Sequence, residues 1–215
     1  MNRTRVMAAI RRPESAAVAG LVFAGILGWV LALLHNVAPD MPVDAAAWAA
    51  DESRRSTVNL ALTLMPVAGI AFLWFIAVIR AHLGSRDDRF FETVFLGSGL
   101  IFVATMFTAA AALKAVLLLD TTATPLPPEM LAYAWAFASV VLGVFGAKMA
   151  AVFTFTAATA GLRAANLPRW IAALGYVTGL SLLFMPPLPD MAQFLFPGWV
   201  ALVSVLVLVR RREQA

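Results

Sequence analysis

The sequence predicts an all-α protein: a polytopic transmembrane helix bundle of six spans, forming one domain over residues 1–215, with both termini in the cytoplasm. Three observations lead to this prediction. The chain is 62% hydrophobic and only 13% charged, whereas soluble domains carry about 25% charged residues. Its apolar residues are gathered into six runs. Its arginines lie almost entirely in the two tails and in alternate connections between those runs.

The six runs have lengths close to those of membrane helices. A spanning helix needs about 20 mostly apolar residues, because the hydrocarbon core of a bilayer is roughly 30 Å thick. Helix is the state in which such a run satisfies its own backbone hydrogen bonds in lipid. The predicted spans cover approximately residues 16–37, 58–80, 90–119, 130–162, 169–185 and 191–209.

Two of these spans have an alternative interpretation. The first follows a basic segment, as a secretory signal does, but it exceeds the roughly 7–15 apolar residues of a signal peptide, and we interpret it as an anchor. The fifth is short, and the segment Pro186-Pro187-Leu188-Pro189 separates it from the sixth because proline interrupts a helix. Five helices and a buried half-helix are the alternative to six full spans.

The arginine distribution predicts the orientation. Twelve arginines fall in the two tails and in the second and fourth connections, whereas the opposite side has only Arg54 and Arg55. Basic residues are enriched on the cytoplasmic side of membrane proteins, so both termini should be cytoplasmic. The Ala- and Arg-rich composition suggests a bacterial source, and hence the bacterial cytoplasmic (inner) membrane.

The first connection, about residues 38–57, is the longest. Asp44 is suited to cap a short helix over Ala45–Arg55, and Trp48 would lie at the level of the lipid head groups. We interpret this segment as an interfacial helix, with a lid over an outward cavity as the alternative.

Small residues recur at every fourth position of two predicted spans, which favours close contact between membrane helices. We expect these contacts within the bundle, with a subunit interface as the alternative for the first row. The rows are Ala16, Gly20, Ala24, Gly28 and Ala32, and Ser139, Gly143, Ala147 and Ala151.

Lys148 is the main candidate for a site, because ionisable groups inside membranes are costly and usually functional. Counting residues along the spans places it near the level of Thr105 and Pro66. The hypothesis is a ligand or ion site at Lys148, completed by the hydroxyl of Thr105 or Thr108 and by the Leu62 carbonyl that Pro66 leaves unbonded. The alternative is that Lys148 extends along its helix to the cytoplasmic surface.

Two further ionisable groups lie near span ends. Lys114 is expected to reach toward Asp120 or the lipid head groups, and His35 needs no ligand at the end of its span.

Several classes of activity are excluded by what the sequence lacks. Two histidines and no cysteine cannot hold a two-haem centre or a thiolate metal site. No carboxylate lies deep in a span for a proton relay, and zinc-protease, serine-hydrolase and Walker motifs are missing. We expect no catalytic set, no metal and no cofactor. Without a basic patch containing aromatics, we also expect no nucleic-acid partner.

The segment Asp88-Arg89-Phe90-Phe91-Glu92-Thr93-Val94-Phe95-Leu96-Gly97-Ser98-Gly99 resembles small multi-pass bacterial membrane proteins without an assigned activity. The resemblance implies a membrane location and no particular reaction. We expect a non-enzymatic scaffold or accessory membrane subunit, in contact with the lipid bilayer and with a second copy or another membrane protein. The alternative is a small transporter or channel for an anionic or amphipathic solute that uses Lys148.

Overall fold

The structure, a computed structural model, describes residues 13–38, 48, 51–83, 89–119, 127–164, 167–184 and 192–212. Within these residues the chain is helical and contains no β-strand, which confirms the predicted all-α class. Each predicted span coincides with one helix. The helices are α1 (Pro13–Val37), α2 (Glu52–Leu83), α3 (Arg89–Leu119), α4 (Pro128–Arg163), α5 (Arg169–Phe184) and, after a 3₁₀ turn at Ala192–Phe194, α6 (Leu195–Arg212).

The six helices fall into two length classes. Four of them, α1 to α4, are long and apolar enough to cross a membrane, as judged by length and composition. The others are shorter: α5 has 16 residues and α6 has 18, which correspond to about 24 and 27 Å at the helical rise of about 1.5 Å per residue. Four of the six predicted spans therefore have the length of a full membrane helix.

The helices are arranged as a ring in chain order. Each helix packs against the next, and α6 returns to pack against α1. We call the end where α1 begins and α6 ends the proximal end, and the opposite end the distal end. Arg80 of α2 donates to Glu92 of α3 at 2.6 Å, and the Arg163 guanidinium lies 4.5 Å from the Phe91 ring centroid. These contacts join α2, α3 and α4 at the proximal end.

A cluster of phenylalanines fills the middle and proximal part of the ring. Phe72 of α2 lies at its centre, with ring centroids 4.4 Å from Phe23 of α1 and 5.0 Å from Phe153 of α4. Phe102 of α3 and Phe196 of α6 lie 5.5 and 5.6 Å from the same ring. Five helices thus meet through aromatic contacts, and all five rings are buried.

Close helix approach in the same region depends on small residues. A Cβ atom at Gly20 would lie 2.1 Å from Ser204 Oγ of α6 and 2.8 Å from the Phe75 ring of α2. The beginning of the small-residue row on α1 therefore serves contacts within the bundle, as predicted. Farther along that row, a Cβ at Gly28 would meet nothing within 4 Å.

The middle of α4 departs from regular α-helical geometry. Its backbone is α-helical over Pro128–Val140, π-helical over Val141–Gly146 and α-helical again over Ala147–Arg163. Short π-helical segments inside α-helices often lie at functional sites. Gly146 ends this segment against α3, where a Cβ would lie 2.9 Å from Thr105 Oγ1.

The start of α2 differs from the short interfacial helix predicted for this connection. The membrane helix itself begins at Glu52. Asp51 caps it, because its Oδ1 accepts hydrogen bonds from the backbone N–H groups of Ser53 and Arg54 at 3.0 and 3.1 Å. The predicted cap at Asp44 lies outside the described residues.

Candidate functional site

The distal half of the ring contains a cavity of about 290 Å³. Its walls are the distal parts of α1 to α4, together with the distal ends of α5 and α6. Leu182 is the α5 residue that reaches it, and Phe196 and Pro197 are its α6 residues. The other apolar lining residues are Leu27, Leu31, Leu34, Ala38, Leu62, Met65, Phe102, Ala109, Ala110, Leu113, Trp135, Ala138, Leu142, Gly143, Ala147 and Ala150.

The phenylalanine cluster forms the proximal boundary of this cavity. Phe102 and Phe196 line the cavity and also contact each other, with ring centroids 4.9 Å apart. The cavity therefore ends where the aromatic packing begins. Ligand pockets of this kind are mostly apolar and contain a few polar groups.

Three polar side chains line the cavity besides the Trp135 indole. His35 and Ser139 lie on α1 and α4, and Gln193 lies in the 3₁₀ turn before α6. His35 and Ser139 are exposed, whereas Gln193 is partly buried. The carboxamide of Gln193 offers both a hydrogen-bond donor and an acceptor.

Trp48 lies beside the distal part of the cavity, next to the lining residue Trp135. Its indole Nε1 donates to the Val37 carbonyl at the end of α1, at 2.6 Å. Its ring lies 5.7 Å from the ring of Trp135 on α4, at an interplanar angle of 66°. Trp48 is only 1% exposed, and its two contacts join α1 to α4.

Lys148 bonds to α5 and not to the partners predicted from the sequence. Its Nζ donates to the backbone carbonyl of Leu182 at 3.2 Å and to that of Leu183 at 2.5 Å. These carbonyls lie in the last turn of α5, where a helix leaves its final C=O groups without intrahelical donors. A lysine near a helix C-terminus also interacts favourably with the helix dipole.

The hydrogen bonds of Lys148 satisfy backbone carbonyls at the early end of α5. Lys148 is 15 residues from Arg163, about 22 Å along α4, so α5 ends deep in the bundle. An unbonded carbonyl at such a depth would cost several kcal/mol in a membrane. The lysine supplies the missing donors, and therefore has a structural reason to be there that involves no ligand.

The other predicted site residues are not brought together with Lys148. Thr105 donates its hydroxyl to the Phe102 carbonyl of its own helix at 2.7 Å. Thr108 is exposed on α3, and Pro66 is exposed within the continuous helix α2. The cavity lining includes none of Lys148, Thr105, Thr108 and Pro66.

Lys114 makes a second hydrogen bond between helices. Its Nζ on α3 donates to the Asn59 Oδ1 on α2 at 2.7 Å, in a partly buried position. The predicted direction toward Asp120 is therefore replaced by an amide partner on the neighbouring helix, and Asp120 itself lies outside the described residues. This bond holds the distal parts of α2 and α3 together.

Two further hydrogen bonds join neighbouring helices. Thr159 and Tyr176 share a hydrogen bond of 2.8 Å between α4 and α5, and the Trp199 indole of α6 donates to the Ile171 carbonyl of α5 at 3.3 Å. Among the described residues, no buried side-chain nitrogen or oxygen lacks a partner. The same part of the chain contains no group of three or more residues able to hold a metal ion.

Comparison with known proteins gives no further information about this arrangement. No family model, curated protein or solved structure matches the chain. Sequence reasoning missed the cavity itself, because its walls are ordinary apolar residues from all six helices. The available signals were two tryptophans near the distal end, Trp48 and Trp135, and the early end of the fifth apolar run.

Proposed function

We propose that the chain is a six-helix protein of the bacterial cytoplasmic membrane with both termini in the cytoplasm. The support is the arginine distribution, which follows the positive-inside rule at every connection. The short helices α5 and α6 fit this orientation in two ways, either as full spans or as a hairpin that turns inside the membrane. Both arrangements return the chain to the side from which α5 started.

Because the chain has no cysteine, single cysteines provide a direct test of orientation. The exposed residues Ser56 and Ala164 lie on opposite sides in this proposal. In intact cells, a membrane-impermeant maleimide should label Ser56→Cys and leave Ala164→Cys unlabelled until the membrane is opened. The reverse pattern would overturn the orientation.

We further propose a non-enzymatic role as a scaffold or accessory subunit of a membrane assembly. The observation that carries this proposal is that both intramembrane lysines form hydrogen bonds to another helix of the bundle. Lys148 holds the end of α5, and Lys114 holds Asn59 of α2. A catalytic or transport site would need such groups to face a substrate, and here their amino groups are bonded to the bundle itself.

The exposed face of α1 is the surface we assign to the partner. Val18, Val22, Gly25 and Trp29 recur at helical spacing and are all exposed, and a Cβ at Gly25 would meet nothing within 4 Å. A second helix could approach the α1 backbone closely at this glycine, as small residues allow in membranes. The partner would be another copy of the chain or a different membrane protein.

Chemical crosslinking in native membranes, followed by native mass spectrometry, tests this role. The expected result is a dimer or a defined complex that Gly25→Leu reduces at least tenfold. Gly97→Leu is the control, because Gly97 on α3 also has open space around its Cβ position and lies away from the α1 face. A monomer without partners, or equal loss in both variants, would overturn the proposal.

A carrier or channel for an anionic or amphipathic solute is the second candidate, and the distal cavity favours it. In this case the binding charge is not Lys148, which is bonded to two carbonyls and does not line the cavity. Solute flux in proteoliposomes that survives Lys148→Met would support a carrier based on the cavity. The absence of any flux with amphipathic anions would remove this candidate.

A further inference from the structure

We propose that the distal cavity is a binding site for a single-chain amphiphile from the membrane, which places its hydrocarbon chain among α1 to α4 and its carbonyl-type acceptor at Gln193. This inference goes beyond the accessory role and does not depend on it. It rests on the size of the cavity, the aromatic groups toward its two ends, the exposure of two lining residues on α4 and the placement of its polar groups.

The size and lining of the cavity suit a flexible apolar chain. Its volume is about 290 Å³, whereas an apolar cavity of about 150 Å³ already admits benzene. Leucine side chains from α1, α2 and α3 face it at Leu31, Leu62 and Leu113, and all three are otherwise buried. A hydrocarbon chain would regain dispersion contacts that these side chains lack beside an empty space.

Aromatic groups lie toward both ends of the cavity. Toward the proximal end, Phe102 and Phe196 belong to the buried phenylalanine cluster. Toward the distal end, Trp48 lies across Trp135 and is tied to the Val37 carbonyl. Phe102, Phe196 and Trp135 line the cavity and offer aromatic surface to an apolar chain.

The cavity reaches the outer face of the bundle at α4. On α4, Ser139 is exposed and Gly143 is half-exposed while both line the cavity. An acyl chain in the surrounding lipid could enter from this side. The geometry therefore favours a lipid-derived ligand over a water-borne one.

The polar groups are placed to recognise the head of such a molecule. Gln193 is partly buried at the level where α6 begins, and its amide N–H can donate to an ester or carboxyl oxygen. His35 and Ser139 lie farther toward the distal surface and can contact the remainder of a small head group. With one amide and no described cation in the lining, recognition of the acceptor does not require a charged ligand.

The test is native mass spectrometry of the full-length protein in lipid nanodiscs, with oleate and a monoacyl phosphatidylethanolamine as separate probes. The wild type should retain one equivalent of at least one probe. Retention of oleate alone identifies a free fatty acid, and retention of the monoacyl lipid alone identifies a phospholipid-derived amphiphile. Retention of both supports recognition of the chain and carbonyl that the probes share. Retention of neither would overturn the proposal.

Filling the cavity provides the decisive variant. Gly143 lines the cavity and has nothing within 4 Å of its Cβ position, so Gly143→Leu should occupy ligand space and reduce retention at least tenfold. Gly97→Leu is the matched control, because Gly97 is also a half-exposed helical glycine with open space and lies outside the cavity. Unchanged retention in Gly143→Leu, or equal loss in both variants, would overturn the site.

A photoreactive fatty acid with a diazirine at its chain end tests the wild type without any substitution. Labelling should fall on Met65 and Phe102, which lie deep in the cavity. Labelling confined to exposed residues such as Trp29 would mean surface lipid only and would overturn the proposal.

Gln193→Leu should weaken retention several-fold while this labelling pattern persists, because the variant removes the amide and leaves the chain site. Full retention in this variant would contradict the assigned role of Gln193.

Discussion

The proximal and distal halves of the bundle hold their helices together in different ways. In the proximal half, aromatic rings from five helices meet around Phe72, and Gly20 and Gly99 allow neighbouring helices to come close. In the distal half, the helices surround a cavity. They are joined there by hydrogen bonds from Trp48 to a backbone carbonyl and from Lys114 to an amide oxygen. Side chains therefore fill the proximal half, whereas the distal half leaves a space of about 290 Å³ between its helices.

The energetics of helix association in lipid explain why hydrogen bonds between helices matter in the distal half. Helices in lipid gain little from hydrophobic burial, so they associate through tight packing and hydrogen bonds. Where a cavity removes the tight packing, hydrogen bonds such as those of Lys114 and Lys148 must provide a larger share of the contact energy. The two halves should therefore respond differently to substitution.

The largest expected effect comes from removing a ring in the proximal half. Phe72→Ala deletes the centre of the cluster and should lower the free energy of unfolding by about 3–5 kcal/mol. Leu62→Ala, beside the cavity, should cost about 2 kcal/mol, because this side chain already lacks partners on one side. Unfolding in mixed detergent micelles measures both values. A larger cost for Leu62→Ala would break the comparison between the halves.

The next effect concerns the two lysines. Lys148→Met leaves the Leu182 and Leu183 carbonyls without a donor and should cost about 2 kcal/mol. Lys114→Met removes one bond to a half-buried amide and should cost about 1 kcal/mol. The same unfolding assay applies, with Lys148→Arg as a variant that keeps donors at the end of α5. If Lys148→Met were neutral, the lysine would not be what stabilises the end of α5.

The smallest expected effect on stability comes from Trp48→Phe. This variant keeps an aromatic ring near Trp135 but loses the Nε1 hydrogen bond to the Val37 carbonyl, a loss of about 1 kcal/mol or less. Access to the cavity should change more than stability does. Labelling of Gln193→Cys by a water-soluble maleimide added on the distal side should become several-fold faster in the Trp48→Phe background. An unchanged rate would mean that Trp48 does not restrict access to the cavity.

The helices themselves could be predicted from the sequence because each depends on a local run of apolar residues. The positions of the six runs needed no knowledge of contacts between helices. The early end of α5 was suggested by its short apolar run and by the prolines that follow it. The group that satisfies its last carbonyls could not be predicted, because the donor to Leu182 and Leu183 comes from Lys148 on a different helix.

The partners of Lys148 could not be predicted, for the same reason. Counting along the spans suggested Thr105 and the Leu62 carbonyl, whereas the amino group bonds to carbonyls of α5. The cavity depends on where six helices diverge, and none of its apolar lining residues differs in type from a packed one. Trp48 could not be placed because its contact with Trp135 spans distant parts of the sequence.

The π-helical segment Val141–Gly146 makes the shape of the cavity sensitive to the length of the chain. Such segments typically accommodate one residue more than the surrounding α-helix would. Deleting one residue there would allow α4 to continue as a plain α-helix, and each residue corresponds to a rotation of about 100°. Trp135 and Ala138 would then turn away from α1, while Lys148 and the proximal contacts would keep their register. A homologue shorter by one residue in this segment should therefore have the same aromatic core, but its cavity would lack the wall that Trp135 and Ala138 form.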